Sequence, residues 1–197
     1  MRILYLQTFP LWGSGSGTYA RNLAITTARN HTVGMVVPDT RTLPKVTSFP
    51  VDLPVKVAFT SHPEWPQSIS YTNLSHGQIG QVYQAFLDAT IKAVTQFRPD
   101  VIHVHHAFLL SWVAGFIRDT YGIPFIVTIH GSELPTLEID KRYYQRTYDA
   151  MYRAKRIVPN SGWTREWFLK IFKNHFHEKC RVIPGGVNID RFKKILN

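Results

Sequence analysis

The chain has 197 residues and one cysteine, with 44% apolar and 18% charged residues, which excludes a disulfide-stapled miniprotein and a disordered chain and leaves room for one domain with its own core. Its net charge of +10 is one-sided: residues 1–140 hold nine Lys/Arg and nine Asp/Glu, whereas residues 141–197 hold fourteen and four. No apolar run approaches the roughly 18 residues of a spanning helix, and Gln7, Thr8 and Pro10 interrupt the apolar stretch after Arg2, which therefore reads as a buried strand rather than a signal peptide.

Arg2 to Thr8 is led by β-forming residues and predicts a strand, followed by a Pro/Gly loop. Thr18 to Arg29 reads as a helix with Leu23 and Ala24 on its inner face, and Thr32 to Val37 as a second strand. Residues 38–74 are rich in Pro and Ser and predict one strand, Val55 to Phe59, in a long irregular stretch of the kind that is usually functional or mobile. Ser75 to Phe97 reads as a long helix, with Ile79, Val82, Phe86, Ala89 and Ala93 at helical spacing and Pro99 ending it. Val101 to His105 is a strand, Ala107 to Tyr121 a helix closed by Gly122, and Phe125 to Ile129 a continuous apolar strand suited to the inside of a parallel sheet. Arg142 to Ala154 reads as a helix and Arg156 to Val158 as a short strand. Ser161 can cap a helix over Trp163 to Lys173, and Arg181 to Ile183 is a last strand before Pro184-Gly185-Gly186.

This alternation predicts an α/β domain, Rossmann-like and three-layered, with a mostly parallel sheet joined by right-handed crossovers. Ligands of such sheets sit at the carboxyl ends of the strands where strand order reverses, which directs attention to the loops after Thr8, His105 and Ile129.

Three motifs occupy those loops. In Gly13-Ser14-Gly15-Ser16-Gly17, glycines ahead of a helix let backbone N–H groups and the helix dipole meet a phosphate. Gly15 to Ala20 also fits a dinucleotide fingerprint, with Asp39 at the distance of a ribose contact, but Phe9 to Trp12 make the loop longer than that fold uses. In His103-Val-His105-His106, alternation puts His103 and His105 on one face and His106 on the other; a metal pair and hydrogen-bonded core histidines are both open readings, and no acidic ligand follows. In Thr128-Ile129-His130-Gly131-Ser132-Glu133, a buried strand delivers His130 to the sheet edge, where Glu133 can orient the imidazole or contact a hydroxyl.

The strings GSGTYARNLA, PDVIHVHHAFLLSWVAGFIRDTYGIPFIVTIHGSEL and AKRIVPNSGWTREWFLKIF…CRVIPGGVNIDRF, in this order and spacing, resemble the N-terminal domain of family-4 retaining glycosyltransferases of the GT-B fold. The resemblance implies transfer of a sugar from a nucleotide diphosphate sugar to an acceptor hydroxyl with retention of configuration and without an obligatory metal or cofactor. It implies an acceptor-side domain over residues 1–197, with the family's donor-binding domain outside this chain and the chain inactive alone. It places Gly15 and Gly17, with Ser16 between them, against the donor diphosphate, and His130 beside the donor sugar. His130 and Glu133 are thus the catalytic candidates, and His105, Ser161 and Arg165 the further candidates for substrate contact. The closing element departs from the family's asparagine-glycine-valine-aspartate order, reading Gly185-Gly186-Val187-Asn188 here.

Expected partners are the nucleotide-sugar donor and a glycan or lipid-linked acceptor; no nucleic acid is expected, since no recognition module accompanies the charge. Tyr144, Tyr148 and Tyr152 recur every four residues among Arg142, Arg146, Arg153, Lys155 and Arg156, which points either to peripheral contact with an anionic membrane, in a cytoplasmic protein at its inner face, or to tyrosines packed inside. An oxidoreductase domain resting on the glycine fingerprint and a stand-alone lipid- or glycan-binding module are the alternatives to a transferase half.

Overall fold

A computed structural model describes residues 1–186. In chain order its elements are β1 (Arg2–Leu6), α1 (Gly15–Thr27), β2 (Thr32–Val37), β3 (Val46–Pro50), β4 (Val57–Ala58), β5 (Ile69–Ser70), α2 (His76–Phe97), β6 (Val101–His105), α3 (Leu109–Tyr121), β7 (Phe125–Ile129), α4 (Leu134–Ile139), α5 (Tyr144–Arg153), β8 (Arg156–Pro159) and α6 (Gly162–Ile171). Six strands form one sheet in the order β3-β2-β1-β6-β7-β8, and every pairing in it is parallel. The chain runs outward from β1 to β3, then returns to lay β6 on the other side of β1. The order therefore reverses between β1 and β6, where a parallel sheet opens a crevice at its carboxyl edge.

The pleat sorts the side chains into two cores. Leu4, Leu6, Val36, Ile102, Val104, Val127 and Ile129 pack with Val82 and Phe86 of α2 and with Val113 and Ile117 of α3. Ile3, Tyr5, Val33, Met35 and Val37 pack with Ala20 and Ala24 of α1 on the opposite face. Right-handed crossovers running in opposite directions from β1 put α1 on one face and α3 on the other. Local signals set the helix ends. Ser75 and Gln78 exchange hydrogen bonds in a capping box at the start of α2, and Ser161 accepts from the Thr164 amide at the start of α6.

Several elements differ from the sequence reading. The irregular stretch contributes β3, an unexpected edge strand, while the expected Val55 to Phe59 strand shrinks to β4, paired only with β5. The short helix α4 was not anticipated; it starts at Leu134-Pro135, where proline suits a first turn because it has no N–H to leave unpaired. Arg181 to Ile183 is not a strand, although the Arg181 and Ile183 amides donate to the Ile157 and Pro159 carbonyls along β8. Val187 and Asn188 of the closing element lie outside the described residues.

The tyrosine stripe of α5 turns inward. Tyr144 and Tyr148 pack against Phe172, and Tyr148 also against Phe176; only Tyr152 is largely exposed, with Lys179 over its ring. Arg142 is equally structural: its guanidinium donates to the Thr72 and Leu74 carbonyls and pairs with Asp140. Among the described residues no helix is long and apolar enough to cross a membrane.

Helix α1 begins three residues earlier than expected, because Ser14 caps it and draws the glycine run into its first turn. The glycines there have different reasons. A Cβ on Gly17 would stand 2.5 Å from the Pro10 carbonyl oxygen, whereas one on Gly15 would meet nothing within 4 Å. Gly17→Ala is therefore expected to destabilise the domain by about 1–3 kcal/mol through overpacking, outweighing alanine's helix preference of about 1 kcal/mol. Gly15→Ala is expected to leave stability unchanged or slightly raised. Urea unfolding of the two variants checks this, and equal midpoints would contradict the close-approach account.

Candidate functional site

Parallel register places the histidines. His105 of β6 lies opposite Thr128 of β7, and His130 follows β7 directly, so both imidazoles arrive at the carboxyl edge beside the reversal of strand order. Nδ1 of His105 and Nε2 of His130 are hydrogen-bonded at 3.0 Å, and Nε2 of His103 bonds the Thr128 hydroxyl at 2.7 Å. The His103 and His105 rings stack with centroids 5.0 Å apart, and Tyr5 packs against both. Tyr19 of α1 meets His105 and His130 edge-on, at 5.9 and 5.1 Å. His106 closes the group, its ring 4.7 Å from that of His130. Burial is the main force on these groups. It holds His130 down to about 3 and His103 to about 4, and it drives His105 and His106 well below the usual histidine range, with mutual repulsion adding to the shift. Four neutral imidazoles therefore line this edge at neutral pH.

The turn that presents His130 is held from behind. Gly131 has φ +105°, a conformation a side chain would strain. Glu133 is fully buried, and its carboxylate accepts from the backbone N–H groups of Gly131 (2.8 Å), His130 (3.1 Å) and Ala107 (3.2 Å). Burial raises its pKa, and these N–H bonds oppose the rise. Its oxygens thus bind backbone rather than the His130 imidazole, and the orienting role expected of it is exercised through the main chain. Asn160, just past β8, donates to the His130 carbonyl at 3.1 Å.

At the glycine turn the Gly17 N–H is taken by the Ser14 hydroxyl and the Thr18 N–H by the Ser14 carbonyl. The Gly15 and Ser16 amides have no partner among the described residues, as expected at a helix start. Tyr19, one turn along, links this turn to His130, and Gly185 approaches the same tyrosine ring. The structure therefore brings Gly15, Ser16, His105 and His130 to one edge. Ser161 stands beside Asn160, but its hydroxyl caps α6 and donates to the Thr164 hydroxyl. Arg165 pairs with Glu166 at 2.6 Å. Sequence reasoning missed Tyr19 and Asn160; the one signal for each was position, four residues after Gly15 on a helix and directly after a strand.

Asp39 accepts from the Leu11 N–H and pairs with Arg41, so its carboxylate is occupied and the ribose contact of the dinucleotide reading has no free partner. Arg41 also bridges to Glu64 and stacks over Trp12, at the rim of a pocket of about 430 Å3 that includes Asp52, Lys56 and Trp65. Among the described residues no group of three or more His, Cys, Asp or Glu is placed to hold a metal ion.

The depressed histidines make the fold acid-labile. Each has a folded pKa below its unfolded value of roughly 6.5, so its contribution is complete above that pH and is lost as pH falls towards the folded values. At about 1.4 kcal/mol per histidine per pH unit, His103 and His130 alone are expected to remove about 2 kcal/mol or more between pH 7 and 5.5. Urea titrations at the two pH values measure this, and an unchanged unfolding free energy would show that the imidazoles titrate normally.

The architecture recurs in solved structures of larger proteins. A sucrose-phosphate synthase from Thermosynechococcus elongatus superposes with a TM-score of 0.65 at 16% identity, covering 96% of this chain and 49% of that one. Anabaena HepE in complex with UDP-glucose gives 0.62 at 12% identity, covering 100% and 47%. A UDP-GlcNAc 2-epimerase from Neisseria meningitidis bound to UDP-GlcNAc gives 0.55 at 10% identity, covering 94% and 47%. The chain thus spans about half the length of these proteins, and at such identities the likeness establishes the fold alone, that of one Rossmann-like half of a GT-B architecture. The chain has no match among curated protein sequences. The sequence pattern of Glycosyltransferase Family 4, however, matches residues 13–191, a stretch that contains both the glycine turn and the His130 turn, and the chain belongs to that family.

Proposed function

We propose that this chain is the acceptor-side domain of a retaining glycosyltransferase of the hexosyltransferase type, which moves a sugar from a nucleotide diphosphate sugar to an acceptor hydroxyl. The observation that carries the reading is the meeting, at one sheet edge, of two free helix-start amides and a neutral, partly exposed His130. As the bond from the anomeric carbon to the diphosphate breaks, negative charge grows on the leaving phosphate and positive charge on the sugar. The Gly15 and Ser16 amides, backed by the dipole of α1, suit the first charge. A neutral imidazole at His130 adds no cation beside the second. The UDP-glucose and UDP-GlcNAc seen in two of the structural relatives support a nucleotide sugar as donor. Glu133 acts as a positioning residue, holding the turn from which His130 projects. The acceptor in this reading is a glycan or a lipid-linked molecule.

In a protein carrying both domains, His130→Ala is expected to lower kcat by about 10²-fold with a smaller effect on KM, the scale of one transition-state contact. Circular dichroism would show the fold kept, and a near wild-type kcat would refute the role. The 197-residue chain by itself is expected to fold yet to bind UDP-glucose no better than millimolar in calorimetry, because two backbone amides without a closed cleft hold a diphosphate weakly. Micromolar affinity would move the donor site into this domain.

A further inference from the structure

The hydrogen bond between His105 and His130 leaves one question that its surroundings answer: which ring carries the shared proton. Both imidazoles are neutral, so each has one N–H and one bare nitrogen. Two arrangements fit a 3.0 Å contact between Nδ1 of His105 and Nε2 of His130. In the first, His130 donates from Nε2, and His105 then carries its own proton on Nε2. In the second, His105 donates from Nδ1, and His130 carries its proton on Nδ1.

The two differ in what they bury. Nε2 of His105 is enclosed and has no hydrogen-bond partner. The His103 and Tyr5 rings stack with it, and Tyr19 packs nearly perpendicular to it. The first arrangement would leave an N–H donor stranded there. The second leaves only an unfilled acceptor lone pair, which folded proteins tolerate more readily than an orphaned donor. On His130 the second arrangement costs nothing comparable. Its Nδ1 takes no hydrogen bond among the described residues and is not enclosed, so an N–H there meets water or a ligand in the cleft.

We infer that His105 is a positioning residue that locks His130 as the Nδ1–H tautomer, so that His130 meets its ligand as a hydrogen-bond donor and not as a general base. The proton on Nδ1 faces the cleft, and the only basic nitrogen of the ring, Nε2, is turned away onto His105. His130 cannot then take the acceptor's proton; it can hold an oxygen of the donor, either a sugar hydroxyl or a phosphate oxygen. The ligand assignment rests on the sugar-transfer reading above, whereas the tautomer is a property of the chain itself.

The test is 15N NMR of the histidine rings in the 197-residue chain, with no ligand, at pH 7. Long-range proton–nitrogen correlations separate protonated from bare ring nitrogens. The expected result is His130 protonated at Nδ1 and bare at Nε2, with His105 protonated at Nδ1. Protonation of His130 at Nε2, at both nitrogens, or as an even mixture overturns the inference. Two variants separate positioning from packing. His105→Asn keeps an N–H donor near the place of Nδ1 and is expected to preserve the His130 pattern. His105→Asp, an acceptor there, is expected to move the proton to Nε2 of His130, and an unchanged pattern in His105→Asp overturns the lock. In the two-domain enzyme, His105→Asp is expected to lose at least about 10-fold in kcat while His105→Asn stays within a few-fold, since a misdirected hydrogen bond acts in the transition state. Should a variant fail to fold, the wild-type spectrum still decides. Because that spectrum needs no substrate, its outcome is independent of whether His130→Ala impairs transfer.

Discussion

A buried carboxylate holds the sheet edge together. Among the described residues Glu133 pairs with no cation; its charge is met by three backbone N–H groups from two loops, those after β6 and β7. A carboxylate enclosed in this way is costly unless every donor is in place, so the two loops are fixed relative to one another or the glutamate is not tolerated. The placement of His130, the positive-φ turn at Gly131 and the approach of Ala107 are all consistent with that requirement. Asn160 completes the frame by extending the same loop-to-loop bonding to β8.

Around this anchor the domain separates its charges. The edge that faces the cleft is built from neutral imidazoles, tyrosines and backbone amides. Some of the basic residues of the later half are taken up in structural work, such as Arg142 on the carbonyls before α2 and Arg153 on Asp119. Under the proposed sugar transfer, a site that passes a charged leaving group would gain from this separation. Fixed dipoles act on a developing charge without holding the substrate beforehand as strongly as a cluster of cations would.

How much of this was legible in the sequence depended on the range of the interaction. Phe125 to Ile129 announced itself as a strand because a strand buried on both faces needs an almost continuous apolar run, Val101 to His105 because β-branched residues alternate there with histidines, and α2 because Ser75 and its spacing agree. The edge strand β3 was hidden, since Val-Thr-Ser-Phe-Pro at a sheet margin carries little hydrophobic signal. The true start of α1 was masked by glycine's poor helix propensity, which the Ser14 cap overrides. For the candidate site, the position of His130 at the carboxyl edge was legible from its place after a buried strand. The role of Glu133 was not, because one of its partners lies 26 residues away and is a backbone amide, a group that carries no sequence signature. The pairing of His105 with His130 likewise needed the register of β6 against β7.

The packing behind the glycine turn bears on what binding there would involve. The amides of Gly15 and Ser16 are aimed by contact at their back, where Gly17 sits against the Pro10 carbonyl and Ser14 closes the turn. A flexible glycine loop would have to be ordered by its ligand, and that entropy would be subtracted from affinity. Here the first turn of a helix already holds the donors in position, so an anion arriving at the edge meets a preorganised surface, and its binding energy is not drained into arranging the chain.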